Sequence, residues 1–238
     1  MRIALVADLH GNRPATEALE RDLALTKPDR IVCLGDIVGK GPSNLFTYEW
    51  AFEHCQLVIG GNWDYGVGCR TFPRDHYYWD QLGPERLRCL RELPQETEFW
   101  FSGRRFRLFH GRPVMPELYT VADDRELLQS FLVDAKGVPY DGLLYADAHR
   151  QAMRTLSPGI IVNTGSVGNA MGVRPAGRRR RPHSSAAGSS AAPAGLRPGT
   201  GRPGRGSRRW PAHKGSLYPG DTDGHLFPFA WITSLFRP

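Results

Sequence analysis

Residues able to hold a cation recur in this chain directly after apolar runs. Asp8 and His10 follow the run Ile3 to Ala7, Asp36 closes "RIVCLG", and Asn62 closes "QLVIGG". His110 closes "RFRLF", and Asp147 and His149 follow "GLLYA". Asp8 and His10 stand two residues apart, so at a strand end both can turn toward one ion. Asp36 offers a carboxylate able to bridge two ions, and Asn62 a neutral carbonyl oxygen. Mixed nitrogen and oxygen donors suit Mn²⁺, Fe, Co²⁺ or Zn²⁺, and the lack of thiolates disfavours a structural zinc site. Taken singly, each residue has a plainer reading: a strand-end Asp is commonly a cap, Asn62 a turn former, and His110 a structural histidine. The ordered set D-x-H, G-D-x-x-G, G-N-x-D, H-G and a final His points instead to a metal centre.

The elements that must position these residues are legible as alternating strand and helix patterns. Strands are expected at 2–8, 30–36, 56–62, 97–103, 105–111, 142–147 and 159–166. Helical spacing sets Ala15, Ala18, Leu19, Leu23 and Leu25 near one face behind Pro14. It likewise groups Leu45, Tyr48, Phe52 and Cys55 behind a Ser43 or Asn44 cap, and predicts a helix over "DDRELLQSFLVDA" capped by Asp123 or Asp124. Strand–helix alternation and early strands that are apolar throughout argue parallel strands covered on both faces. "FWFSGRRFRLF" and "AMRTLSPGIIVN" read as hairpins turning at Ser102-Gly103 and Ser157-Pro158-Gly159. The class is α/β with antiparallel additions. In such sheets the carboxyl ends of the strands form one crevice, where the segments around Asp8, Asp36 and Asn62 should meet.

The charge of +7 is unevenly distributed. Residues 174–238 hold twelve Arg and Lys against two Asp, a net +10, while residues 1–173 are mildly acidic at −3. After Gly172 the chain becomes low-complexity Arg, Pro, Gly, Ala and Ser, with no acidic residue from Arg174 to Gly220. Such a segment buries too little apolar surface to offset ordering entropy and reads as disordered. It is a solvated tail, a basic arm that neutralises nucleic-acid phosphates, or an aberrant end encoded by GC-rich sequence. From Val173 to Gly215 only Trp210 is available for base stacking, so nucleic acid is weakly suggested. No apolar run approaches the roughly 18 residues of a membrane span. The N-terminal run is shorter than a secretory core and reads as a first strand. Four cysteines without a C-x-x-C pair suggest a reducing cytoplasm.

With these residues in order, the chain from Met1 to about Gly172 resembles the calcineurin-like metallophosphoesterase superfamily. It is most similar to the small prokaryotic phosphodiesterase and diadenosine-tetraphosphatase-like branch, including "NTGSVGN" at 163–169. The resemblance implies an α/β fold, a two-sheet β-sandwich flanked by helices in four αββα layers over residues 1–172, with 173–238 as the tail. It implies that Asp8, His10, Asp36 and His149 hold one metal, and that Asp36 bridges to a second held by Asn62, His110 and position 147. Asn12 and Arg13 would bind substrate. The cofactors implied are two divalent ions, manganese first, with Fe, Co, Ni, Zn or Mg as alternatives. The activity implied is hydrolysis of phosphodiesters, phosphomonoesters or dinucleoside polyphosphates by a hydroxide bridging the ions, with Asp36, Asn62 and His110 central to catalysis.

Three departures from the family pattern stand out. Where the family usually reads Gly-His-Thr/Ser-His, this chain has Ala146-Asp147-Ala148-His149. Asp147 then either supplies an oxygen to a harder second site, favouring Mn²⁺ or Mg²⁺, or leaves that site weak. The family also continues with further strands after the Gly-Ser segment, which the Arg-rich tail is not expected to supply. A catalytically impaired metal-binding or scaffold protein of the same fold is therefore the alternative reading. Finally, the family often has His after the Asn ligand, where this chain has Trp63, whose indole does not titrate. That substitution fits a leaving group acidic enough to depart unaided. Arg13, Arg70, Arg74 and Arg112 are candidates for clamping a second phosphate, or else plain surface charges. "DHYYWD" (75–80) reads as a packed helix face or a nucleobase platform.

Overall fold

The computed structural model describes residues 1–71, 75–112, 114, 125–170 and the backbone of 231–233. Four of the short apolar segments form the first sheet: β1 (Ile3–Val6), β2 (Arg30–Cys33), β3 (Leu57–Val58) and β9 (Trp231–Thr233), in the order β3-β2-β1-β9. β1, β2 and β3 run parallel, joined through α1 (Arg13–Thr26) and α2 (Asn44–His54). The second sheet is ordered β4-β5-β6-β8-β7, from β4 (Glu96–Phe101), β5 (Arg104–Phe109), β6 (Gly142–Tyr145), β7 (Gln151–Thr155) and β8 (Ile160–Thr164). β5, β6 and β8 run parallel, and β4 and β7 join them antiparallel.

Both expected hairpins are present. At the first, Phe101 pairs with Arg104 across Ser102 (φ 47°) and Gly103 (φ 73°), the two left-handed residues that a tight hairpin turn demands.

Side-chain alternation sorts the strands into three cores. Ile3, Leu5 and Ala7 of the first sheet meet Phe106, Leu108, Leu144 and Val162 of the second between the sheets. Ala4 and Val6 face the opposite way, onto Leu19, Leu23, Trp50 and Leu87 of the helices. On the far side, Leu143, Tyr145 and Ile161 pack with Leu128 of α5 (Arg125–Ser130). The central strands are therefore covered on both faces, which is why they are apolar without alternation. The layers follow the expected αββα order.

Several details differ from the sequence reading. Leu25 is exposed, and α1 buries Thr16, Leu19 and Leu23, the i, i+3, i+7 stripe. In α2 the buried face carries Asn44, Thr47, Trp50 and Ala51, while Phe52 is exposed. Periodicity misplaced that face because Asn44 and Thr47, though polar, are buried: Asn44 bonds the Gly39–Gly41 loop, and the Thr47 hydroxyl donates to the Ser43 and Asn44 carbonyls of its own helix. The strand expected over 56–62 ends at Val58, and Asn62 opens a short helix, α3 (Asn62–Gly68). Asp64 marks that start by accepting a hydrogen bond from the Gly61 N–H (3.0 Å). "DHYYWD" runs into α4 (His76–Glu92), which is broken at Gly83 ahead of Pro84. There Tyr78 and Trp79 pack on the helix-side core, whereas Tyr77 donates its hydroxyl to the Pro42 carbonyl (3.0 Å). The caps expected at Asp123 or Asp124 lie outside the described residues.

β9 comes from the segment expected to lack strands. It pairs antiparallel with β1, Ile3 opposite Thr233 and Leu5 opposite Trp231, and so covers the backbone edge that β1 would otherwise leave open. The rest of 171–238 lies outside the described residues. Among the described residues no helix is long and apolar enough to cross a membrane.

Leu108 is fully buried between the sheets. Leu108→Ala should lower the unfolding free energy by about 2–5 kcal/mol in urea titration, the usual cost of an unfilled core site.

Candidate metal centre

Where the two sheets face each other, the ends of β1, β2, β5 and β6 bring Asp8, His10, Asp36, His110, Asp147 and His149 together, all buried. The backbone at five of them is unusual. Asp8 (φ 56°), His10 (48°), Asp36 (54°), Asp147 (61°) and His149 (55°) all occupy the left-handed region that non-glycine residues avoid. Such conformations cost of order 1–2 kcal/mol each, so the surrounding fold must impose them.

Backbone hydrogen bonds between loops do this. The Asp8 N–H donates to Gly35 O (2.9 Å), His10 to Asp36 O (3.0 Å), and Gly168 to Asp8 O (2.8 Å). Asp64, also fully buried, ties the second and third loops together: its carboxylate accepts from the N–H groups of Ile37 (2.9 Å), Val38 (3.2 Å) and Gly61 (3.0 Å). Burial, helped by the charge of Asp36, pushes the Asp64 carboxyl up to about 7 against those N–H bonds. Asn44 accepts from the Gly39 N–H (2.7 Å) and donates to Gly41 O (3.0 Å), which explains its burial at the start of α2.

Each of the three histidines turns Nδ1 toward a backbone carbonyl: His10 to Val38 (3.3 Å), His110 to Leu34 (2.7 Å) and His149 to Asn169 (2.6 Å). Carbonyls only accept, so Nδ1 carries the proton and Nε2 faces inward, the arrangement that orients metal-ligating imidazoles. His10 Nε2 and His149 Nε2 lie 3.3 and 3.1 Å from Asp8 Oδ1. Asp36 Oδ2 lies 3.5 Å from His10 Nε2 and 3.3 Å from His110 Nε2, between the two groups as a bridging ligand must be. Two overlapping donor sets result, Asp8–His10–His149 and Asp8–Asp36–His110, with the donor atoms of each within 4.8 Å of one another.

The electrostatics are those of negative charge awaiting a cation. Burial works against ionised Asp8 and Asp36, but the neighbouring His110 and His10, and His149 for Asp8, hold both carboxyls below their ordinary range. Burial likewise opposes protonation of His110, yet Asp36, with Asp8 and Asp147, pushes its ring up to about 10. Among the described residues, both oxygens of Asp8, Asp36 Oδ2, Asn62 Oδ1 and His110 Nε2 are buried without a hydrogen-bond partner. Polar atoms in that condition are costly unless something binds them. Their geometry and chemistry fit divalent metal.

Of the expected ligands, Asp8, His10, Asp36, His110 and His149 converge directly, and the side-chain oxygen of Asn62, at the start of α3, is buried and unpartnered among the described residues. Asp147 lies at the rim, its Oδ1 3.9 Å from His110 Nε2, and its carboxylate is engaged by Arg112. Asn12 caps α1, accepting from the Ala15 N–H (3.2 Å) and donating to Gly168 O (2.8 Å), so its amide joins the first and last site loops. Arg13 pairs with Glu17 (2.7 Å) and lies over the Phe46 ring. Arg70 lies over the Trp79 ring, and Arg74 is outside the described residues.

Sequence reasoning missed Lys40. Its ammonium lies 2.8 Å from His10 Nε2 and 3.2 Å from His149 Nε2, and burial lowers its pKa despite the nearby Asp36 and Asp8 charges. The available signal was a lysine directly following G-D-x-x-G. The role of Asp64 was also unread, although an Asp at the third position of a helix is a recognisable capping signal. The Trp63 N–H donates to Asp36 Oδ1 (2.8 Å) while its ring packs over Gly39. A Cβ at Gly39 would lie 2.3 Å from that ring, so only glycine fits beneath it.

An αββα sandwich gathering Asp and His donors at its strand ends has the architecture of a metallophosphoesterase. The chain belongs to the calcineurin-like phosphoesterase superfamily, whose domain model matches residues 1–179. Over 126 residues it is 31% identical to the uncharacterized protein MJ0912 of Methanocaldococcus jannaschii, covering 49% of this chain and 52% of the relative. The chain thus spans about half the length of that curated relative. In fold it is similar to a metallophosphoesterase from Sphaerobacter thermophilus (TM-score 0.56, 24% identity, 71% of this chain and 78% of that one). It is also similar to the hypothetical protein PH1004 from Pyrococcus horikoshii OT3 (TM-score 0.58, 23% identity, 70% and 77%).

Asp64→Ala would leave three buried N–H groups unpaired. Calorimetry or urea titration should show a loss of about 2–4 kcal/mol, larger than for an exposed Asp→Ala control such as Asp80→Ala.

Proposed function

We propose that this protein is a divalent-metal-dependent phosphoester hydrolase. The reading is carried by the two overlapping donor sets that share Asp8, whose two Asp8 oxygens, Asp36 Oδ2 and His110 Nε2 have no hydrogen-bond partner among the described residues. Asp8, His10 and His149 would hold one ion, Asp36, His110 and Asn62 a second, with Asp36 placed to serve both. Ions bound there would lower the pKa of a water and neutralise charge developing on the phosphoryl oxygens. Manganese is the first choice, because mixed imidazole, carboxylate and amide donors suit it.

The chain's own groups set up the rest. Nδ1 bonds to Val38, Leu34 and Asn169 keep the three imidazoles facing inward, so little reorganisation accompanies binding. Lys40 supplies a positive charge beside the ligand shell, suited to a phosphate oxygen once His10 and His149 are engaged by an ion. Trp63 occupies the position beside Asn62 but has no titrating proton to give a leaving group. Substrates with acidic leaving groups follow: aryl or nucleotide phosphodiesters, activated monoesters and dinucleoside polyphosphates.

One observation favours a second reading. The engagement of Asp147 by Arg112 is consistent with a protein of the same fold that binds metal but does not turn over.

Full-length protein supplied with Mn²⁺ should hydrolyse bis(p-nitrophenyl) phosphate, and Asp36→Ala should reduce the rate by more than the 10–100-fold typical of residues outside the ligand shell. An unchanged rate in Asp36→Ala would refute the assignment, and a wild type no faster than a metal blank would favour the non-catalytic reading.

Trp63→His should accelerate cleavage of alkyl phosphate esters more than p-nitrophenyl esters, since a positioned acid helps a poor leaving group most. Equal effects on both would remove the leaving-group argument.

A further inference from the structure

The pair formed by Arg112 and Asp147 sits at the edge of the second donor set. Asp147 is almost wholly buried, yet its two carboxylate oxygens take three donors from one residue. Arg112 Nε donates to Oδ2 (2.8 Å), Arg112 Nη2 to Oδ1 (2.6 Å), and the Arg112 backbone N–H to Oδ2 (3.1 Å). This is the fork geometry in which guanidinium binds carboxylate most strongly. The seat is shaped for it: a Cβ at Gly111 would lie 2.6 Å from Asp147 Cβ and 2.9 Å from Oδ2, so glycine there lets the carboxylate close against the backbone. The pairing raises the pKa of Arg112, so the guanidinium stays charged.

Asp147 is nonetheless within reach of an ion. Its Oδ1 is 3.9 Å from His110 Nε2, which is itself 3.3 Å from Asp36 Oδ2. Donors around one small divalent ion lie roughly 3–3.5 Å apart, so a modest shift would bring Asp147 into the set. Guanidinium and metal therefore compete for one carboxylate.

We propose that Arg112 is a built-in competitor for the second metal position. By holding Asp147 in a three-donor grip, it makes the centre bind its two ions unequally, the Asp8–His10–His149 ion tightly and the Asp36–Asn62–His110 ion weakly. This rests on the metal-dependent reading above and adds a residue that sets metal stoichiometry. Arg112 is a positioning residue: it acts through Asp147.

The test counts bound ions. Metal-free full-length protein is titrated with Mn²⁺, free ion is read from its EPR signal, and a magnetically coupled pair is sought in the bound spectrum. The wild type should bind one Mn²⁺ per chain tightly and a second at least ten-fold more weakly. Arg112→Met keeps the aliphatic stem and removes the fork, so it should tighten the second ion about 10-fold or more and bring out the coupled signal, an effect of the size outer partners have on metal ligands. Adding Asp147→Asn to that variant should return the second ion to weak binding. Should Arg112→Met fail to fold by circular dichroism, Arg112→Lys keeps the charge without the fork and should shift the second ion in the same direction.

Equal second-ion affinity in wild type and the folded variant overturns the proposal and leaves the hydrolase reading intact, as does a tightening that survives Asp147→Asn. A wild type that binds no Mn²⁺ at all overturns both.

Discussion

Asp8 and Asp36 are buried carboxylates, 0% and 1% exposed, and among the described residues Asp8 and one oxygen of Asp36 have no hydrogen-bond donor. A charge removed from water this completely costs several kcal/mol unless a counter-charge meets it. Much of the surrounding structure answers that constraint. Three imidazoles turn Nε2 toward the carboxylates, Lys40 brings its ammonium beside two of them, and the carboxylates push the pKa of His110 upward. A divalent ion would satisfy the same demand more directly, through the atoms left without partners. The left-handed backbone at Asp8, His10 and Asp36 belongs to the same account: local strain is tolerated because the loops around it are bonded to one another.

The centre and the sandwich are held by the same bonds. His110 ends a strand of the second sheet, but its Nδ1 bonds to Leu34 O, just past β2 of the first. The loop after β8 returns to the first sheet through Val167 N–H to Ala7 O (3.0 Å) and Gly168 N–H to Asp8 O. The inter-sheet core of Ile3, Leu5, Leu108 and Val162 thus fixes the distance across which the ligands meet. Metal binding in such an arrangement couples to folding, because the unfolded chain has no preformed site.

The positions of most candidate ligands were legible because they follow strand ends, and strand ends of an α/β sheet share one crevice. Asp8, His10, Asp36, His110 and His149 could be grouped from motif order and residue chemistry alone. The fold class was legible for a related reason: strands covered on both faces are apolar without a break. Helix α3 was less so, since Gly66 and Gly68 weaken helix propensity and only Asp64 marks its start. The buried face of α2 was misread because Asn44 and Thr47 look solvent-facing in a periodicity count.

Strand β9 and the Arg112–Asp147 pair lay beyond reach of sequence for a different reason. Each depends on a partner far along the chain, β1 for one and a neighbouring strand end for the other, and no local pattern encodes which distant group arrives. The same holds for Lys40, where the sequence supplied a lysine beside a motif and only the fold set its ammonium against His10 and His149. Sequence alone determined the kind of donors on offer, because donor type and strand-end placement are local properties. Tertiary structure decided which donors remain open to an ion and which are already held, because that depends on charges meeting across two sheets.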